Sequence, residues 1–169
     1  MGAEEVDGEE LRVWRAERAI SRVIMRYARA VDRRDSAAVR DCFHATARVH
    51  YGEWFSGGRE EAIAFLENSV PNLVSTLHVL GTPWIELDLG AGTAEVETYA
   101  VNSATYAPGP DGLSMQNVSG TRYFDRFSRV EDCWAIAECR NQRVWAHNLP
   151  ETGEPPAPVA SERAATVGS

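Results

Sequence analysis

His78 stands in an otherwise apolar run, Leu77-His-Val-Leu80, and Asp32 sits one helical turn past Ala28 and two past Ile24. Imidazole is the side chain that most readily exchanges a proton near neutral pH. A carboxylate on the edge of an apolar stripe needs a partner. Strand alternation sets His78 on the face opposite Leu77 and Val79, directed either into an interior or away from it. Asp32 continues the edge of a buried helix stripe, at the mouth of any pocket that helix covers. Tyr27, on the apolar side of the same helix, has a phenol that can hold a substrate oxygen or donate to a departing hydroxide. Five residues separate it from Asp32, about 140° around a helix, so both face one site only if the helix ends or turns near Asp32. Arg143, in Asn141-Gln-Arg-Val-Trp145, has a fork of donors suited to a carboxylate or an enolate. Tyr51, Trp54, Asn102, Asn117 and Trp145 are further candidates for lining a pocket. The competing readings are core packing for Tyr27, a surface ion pair for Arg143, and for His78 a core histidine satisfied by an acid with no substrate.

His44, His50 and His147 have neither triad-like nor metal-like spacing, and no zinc pattern, phosphate loop, dinucleotide fingerprint or nucleophile elbow is present. Acid-base chemistry on a bound small molecule, with no metal and no cofactor, is what remains. Cys42, Cys133 and Cys139 are odd in number and lie inside patterned segments, so buried reduced thiols are expected. A formal net charge of -8 argues against a phosphate-backbone partner. The basic run Arg26 to Arg34 has the helical spacing of a solvated face. No stretch approaches the roughly 18 apolar residues of a membrane span, and Met1 to Glu10 is acidic rather than signal-like, which together imply a cytoplasmic protein that binds neither membrane nor nucleic acid.

These groups need elements to hold them. At 169 residues the chain suits one domain. From Glu9 to Val31 the residues Ile20, Val23, Ile24, Tyr27, Ala28 and Val31 recur at three- and four-residue steps, which predicts an amphipathic helix. Asp35 before Ser-Ala-Ala-Val predicts an N-cap and a short helix reaching about Cys42. Ala47 to Tyr51 reads as a strand, Gly57-Gly58 as a turn, and Arg59 to Asn68 as a helix closed by Pro71. Val74 to Leu80, Pro83 to Leu89, Thr93 to Tyr106, Ser114 to Val130 and Cys133 to Ala146 read as strands of an antiparallel meander. Strands this long bend, and a bent sheet covered by the first helix encloses a cavity. Residues 1–8 are expected to be a flexible lead, 9–149 the domain, and 150–169 a flexible tail whose Pro, Gly, Ala, Ser, Thr and Glu cannot bury enough to order it.

Three segments together resemble the SnoaL-like family of the nuclear-transport-factor-two-like superfamily. They are Arg26-Tyr-Ala-Arg-Ala-Val-Asp32 with Asp35, Leu80-Gly-Thr-Pro-Trp-Ile-Glu-Leu-Asp88 running on to Ala94-Glu-Val-Glu-Thr-Tyr99, and Gly120-Thr-Arg-Tyr-Phe-Asp-Arg-Phe127 running on to Trp134-Ala-Ile-Ala-Glu138. The resemblance implies a cone-shaped α+β barrel, with N-terminal helices on the concave face of a strongly curved, mostly antiparallel sheet, assembled as a homodimer or homotrimer. It implies cofactor-free proton chemistry of the kind carried out by scytalone dehydratase, bile-acid 7α-dehydratase, lindane dehydrochlorinase, steroid isomerase relatives and polyketide cyclases. In dehydratase-like members a helix Asp pairs with a strand His, and Asp32 and His78 stand at the matching places, with Tyr27 matching a Tyr found five residues before the Asp. The family frequently carries an Arg where Arg143 stands. A lyase or isomerase, preferably a dehydratase acting on a small apolar polyketide-, steroid- or terpenoid-like molecule, is the leading expectation. A polyketide cyclase or epoxide-opening enzyme is the second, although the Asp-Arg-Asp set of an epoxide hydrolase cannot be placed. A non-catalytic ligand-binding or assembly module is the third, since one fold hosts many functions.

Overall fold

A computed structural model of the chain describes residues 8–69, 73–110 and 112–151. Three helices, α1 (Gly8–Asp32), α2 (Ser36–Arg40) and α3 (Arg59–Ser69), precede or interleave with strands β1 (Phe43–Tyr51), β2 (Phe55–Gly58), β3 (Leu73–Leu80), β4 (Trp84–Asp88), β5 (Thr93–Tyr106), β6 (Ser114–Val130) and β7 (Cys133–Glu151). The strands form one curved sheet in the order β2-β1-β7-β6-β5-β3, with β4 also paired to β5. All pairings are antiparallel except β1 with β7. The result is the α+β cone that the sequence resembles. Among the described residues no helix is long and apolar enough to cross a membrane.

The elements follow from their residues. α1 buries Ala16, Ile20, Val23, Ile24 and Ala28 along one stripe, and the first four of these belong to one core with Val49, Ala94, Val96, Phe127 and Ile136 from the sheet's inner face. Its end is a Schellman turn: Asp35 N–H donates to the Ala30 carbonyl at 2.9 Å and Arg34 N–H to Val31 at 3.0 Å. Arg34 takes the left-handed conformation that glycine usually supplies, with φ 55°. Its guanidinium holds it there by donating to the carbonyls of Leu73 and Val74. Asp35 then caps α2, its Oδ1 accepting from Ala38 N–H at 3.0 Å.

Several expectations are corrected. Gly57 and Gly58 lie in β2, paired to Val49 and Arg48, rather than in a turn. A Cβ on Gly57 would stand 2.7 Å from both Glu61 Oε2 and Phe55 Cζ, so those two side chains would have to shift to admit one. The chain reverses instead at Gly52, with φ 56°. The sheet is no simple meander, because β1 inserts beside β7 and makes that strand internal along Ile136 to Asn141. β7 also runs on to Glu151, past the predicted end at Ala146 and into the segment read as a tail. Pro71 and the rest of the expected tail lie outside the described residues. Cys133 is exposed, whereas Cys42 and Cys139 are buried.

Cys139 is paired directly across the sheet with Asp125. Asp125 is buried, and its Oδ1 has no hydrogen-bond partner. Burial pushes its carboxyl up to about 7, against a smaller downward pull from the Cys139 thiol. Because this acid holds its proton more tightly in the folded state, the unfolded chain releases the proton first as pH rises. Stability from this group is full below about pH 4, declines up to about pH 7 and is level above that, at a slope near 1.4 kcal/mol per pH unit. Asp125→Asn is expected to flatten that decline and to raise stability at pH 8, as read from urea unfolding across pH.

Candidate active site

Asp32 is the last residue of α1, and His78 faces it from β3. Leu77 and Val79 are 57% and 56% exposed on the outer side of the sheet, so alternation turns His78 inward. Its Nδ1 lies 2.6 Å from Asp32 Oδ1, and its backbone N–H donates to Asp32 Oδ2 at 3.0 Å. One carboxylate therefore fixes both the main chain and the ring of the same residue. Nδ1 carries the proton that the carboxylate accepts, and among the described residues Nε2 has no hydrogen-bond partner. Both side chains are mostly buried, at 15% and 19% exposure. That separates this contact from a surface ion pair, whose worth is about 0–1 kcal/mol.

His78 opens on a cavity of about 210 Å³ lined also by Val31, Trp54, Leu66, Asn102, Thr121, Tyr123, Asn141 and Arg143. Thr76, Ser103, Ala104, Tyr106, Asn117 and Ser119 complete a wall in which side chains bearing hydroxyls or amides outnumber apolar ones. His78 and Asn102 are direct cross-strand partners, so their side chains share a face. Arg143 is exposed at the rim, its guanidinium 4.2 Å from the centre of the Trp54 ring, and it makes no ion pair among the described residues. Stacking on the indole holds the fork while its charge stays unneutralised. Among the described residues no three His, Cys, Asp or Glu side chains converge as a metal-ligand set.

Trp54, Asn102, Asn117 and Arg143 thus line the cavity with His78, while Tyr27, Tyr51 and Trp145 do not. α1 stays helical through Asp32, so the large angle between Tyr27 and Asp32 persists. Tyr27 instead meets Tyr51, hydroxyl to hydroxyl at 2.8 Å, and packs edge-on against Phe43 with ring centroids 5.5 Å apart. Burial raises both phenols well above their ordinary range. Trp145 stands two residues beyond Arg143, a spacing at which residues of a regular strand share a face. The register jumps, however: Gly120 pairs with Trp145 and Thr121 with Arg143, leaving Val144 as the extra residue of a bulge. The bulge turns Trp145 to the outer face, against Gly120, where a Cβ would stand 2.2 Å from the indole nitrogen.

Several wall residues were not singled out in the sequence, Thr121 and Tyr123 among them. Asn102 Nδ2 donates to Thr121 Oγ1 at 3.2 Å and to Tyr123 Oη at 3.0 Å. The alternation of Thr121, Tyr123, Asp125 and Phe127, all buried, marks the inner face of β6 and was the available signal. His44 and His50 serve elsewhere, bonded to Ser128 and Ser56.

The model of the SnoaL-like domain family matches residues 12–140. The chain belongs to that family. The fold is similar to that of a type 2 hexachlorocyclohexane dehydrochlorinase, with TM-score 0.74, 16% identity, and coverage of 89% of this chain and 98% of the other. A candidate scytalone dehydratase from Novosphingobium aromaticivorans gives TM-score 0.68 and 18% identity over 84% of this chain and 91% of its own. A superfamily protein from Salmonella enterica gives 0.67 and 14% over 83% and 96%. No curated protein matches the sequence significantly. Identities this low establish a shared fold for this SnoaL-like chain.

Asp32→Ala in this SnoaL-like protein leaves the His78 main-chain N–H and ring without their acceptor. A loss of about 2 kcal/mol in urea unfolding is expected, more than an exposed pair would give.

Proposed function

We propose that this protein is a cofactor-free lyase or isomerase in which His78 takes a carbon-bound proton. The observation that carries the reading is the Asp32–His78 pair, with Nδ1 engaged at 2.6 Å and the opposite nitrogen free beside a cavity. Asp32 holds the ring in the tautomer that leaves Nε2 as the base, and it stabilises the imidazolium formed once the proton arrives. The proton most readily removed is one next to a carbonyl, whose oxygen then gains negative charge. Arg143, uncompensated and braced on Trp54, is the cation positioned to meet that charge. Loss of a group from the adjacent carbon gives a dehydratase or related lyase, and return of the proton elsewhere gives an isomerase.

The wall chemistry narrows the substrate. A cavity of about 210 Å³ is below the roughly 300–1,000 Å³ of ordinary ligand sites, and on its wall Asn102 Oδ1, which has no hydrogen-bond partner, would gain none from a hydrocarbon. A small oxygenated molecule suits it better than the small apolar one expected from the resemblance. That solved neighbours of this fold are named for dehydrochlorination and scytalone dehydration supports elimination as the reaction class.

The test is exchange of α-protons of cyclohexanone with deuterated solvent. His78→Ala and Asp32→Asn should each lower the enzyme-catalysed rate by about 10²- to 10⁴-fold with circular dichroism unchanged. Exchange at the wild-type rate in either variant would refute the assignment.

A further inference from the structure

Tyr123 is buried in the inner face of β6 and forms part of the cavity wall with His78. Its oxygen accepts from Asn102 Nδ2 at 3.0 Å, and the same amide group donates to Thr121 Oγ1 at 3.2 Å. Both amide protons are therefore committed, and Tyr123 is held as an acceptor with its own hydroxyl proton directed elsewhere. Among the described residues the Tyr123 oxygen makes no hydrogen bond other than the one it accepts from Asn102. The arrangement leaves Asn102 Oδ1 buried without a donor. An orphaned acceptor is a standing cost, and it is the consequence of aiming the amide's nitrogen at Tyr123. Asn102 is also the direct cross-strand partner of His78, so this bonded trio adjoins the base.

We propose that Tyr123, positioned by Asn102, is the acid that protonates a departing hydroxyl, and that the site acts on small β-hydroxy carbonyl compounds by removing water. The inference rests on the base role of His78 and extends it to the leaving group. His78 Nε2 takes the proton from the carbon beside the carbonyl. The electron pair of that C–H bond forms the carbon–carbon double bond. The adjacent C–O bond breaks with its electrons on oxygen, and the Tyr123 hydroxyl proton moves to that oxygen to give water. The proton on His78 then returns to the Tyr123 oxygen through the released water, so the protein is restored and the net products are an enone and one water.

The burial of Tyr123 selects the leaving group. Desolvation raises its phenol well above the ordinary range, with the Asn102 bond opposing this only in part. Such a phenol yields its proton only to a strongly basic oxygen. Hydroxide leaving carbon is that base, whereas chloride leaves with no proton, and an enolate oxygen at the rim is served by Arg143. The position of Tyr123 on the wall and the charge of Arg143 thus divide the two oxygens of a β-hydroxy carbonyl compound between them.

The experiment compares 3-hydroxycyclohexanone with 3-chlorocyclohexanone, both of which give the same enone, followed by its ultraviolet absorption. In Tyr123→Phe the ratio of water loss to chloride loss should fall by about 10²-fold or more. In Asn102→Leu, which removes the positioning bond but keeps the phenol, the ratio should fall by about tenfold. Equal falls for both probes would make Tyr123 a packing residue and overturn the inference, as would an unchanged ratio. Chloride loss by the wild type no faster than by His78→Ala would instead overturn the base assignment on which the inference rests.

Discussion

The Asp32 carboxylate, gripping both the main-chain N–H and the imidazole of His78, is the contact on which the rest of the site depends. A carboxylate in the last turn of a helix faces the negative end of the helix dipole and costs some stability there. The two bonds to His78 offset that cost, and they do so across a long stretch of chain, joining α1 to β3. Arg34, two residues on, adds the second link by reaching the carbonyls at the start of the same strand. The end of α1 is thus fastened to one strand at two heights, which fixes the ring of His78 relative to the cavity and to Asn102 on β5.

Around that fixed ring the interior divides by polarity. Below it lies a sealed layer in which Ile20, Phe127 and Ile136 are wholly buried or nearly so, crossed by the Tyr27–Tyr51 pair and the Asp125–Cys139 pair. Above it lies the cavity, with amides and hydroxyls on β5, β6 and β7. The sealed layer makes charge costly, as the upward shift of Asp125 records. The upper layer supplies partners for oxygen. Tyr123 sits at the boundary, exposed enough to line the wall and buried enough to keep its proton against weak bases. That combination distinguishes it from Tyr27, which the sequence favoured.

The sequence made the frame legible because its signals were local. The apolar spacing of α1, the alternation of the long strands and the Asp35 cap each act over a few residues, and the structure follows them closely. Asp32 and His78 could be given faces for the same reason. What could not be read depended on partners distant in the chain. The bulge at Val144 is visible only in the pairing of β7 with β6, and it alone separates Trp145 from Arg143. The insertion of β1 beside β7 is likewise a tertiary choice, made between segments far apart in the chain. Tyr51 and Tyr27 were candidates for the pocket, whereas their hydroxyls meet each other in the core between β1 and α1. Tyr123 lay inside the strand read as Ser114 to Val130, and its inward alternation with Thr121 and Asp125 went unused.

The most direct measurement is the imidazole proton of His78 by nitrogen-resolved NMR of the free protein. The account predicts a slowly exchanging, low-field proton on Nδ1, a bare Nε2, and loss of that low-field signal in Asp32→Ala. A proton on Nε2 with Nδ1 bare, or a spectrum unchanged by removing the carboxylate, would contradict the orientation of the base.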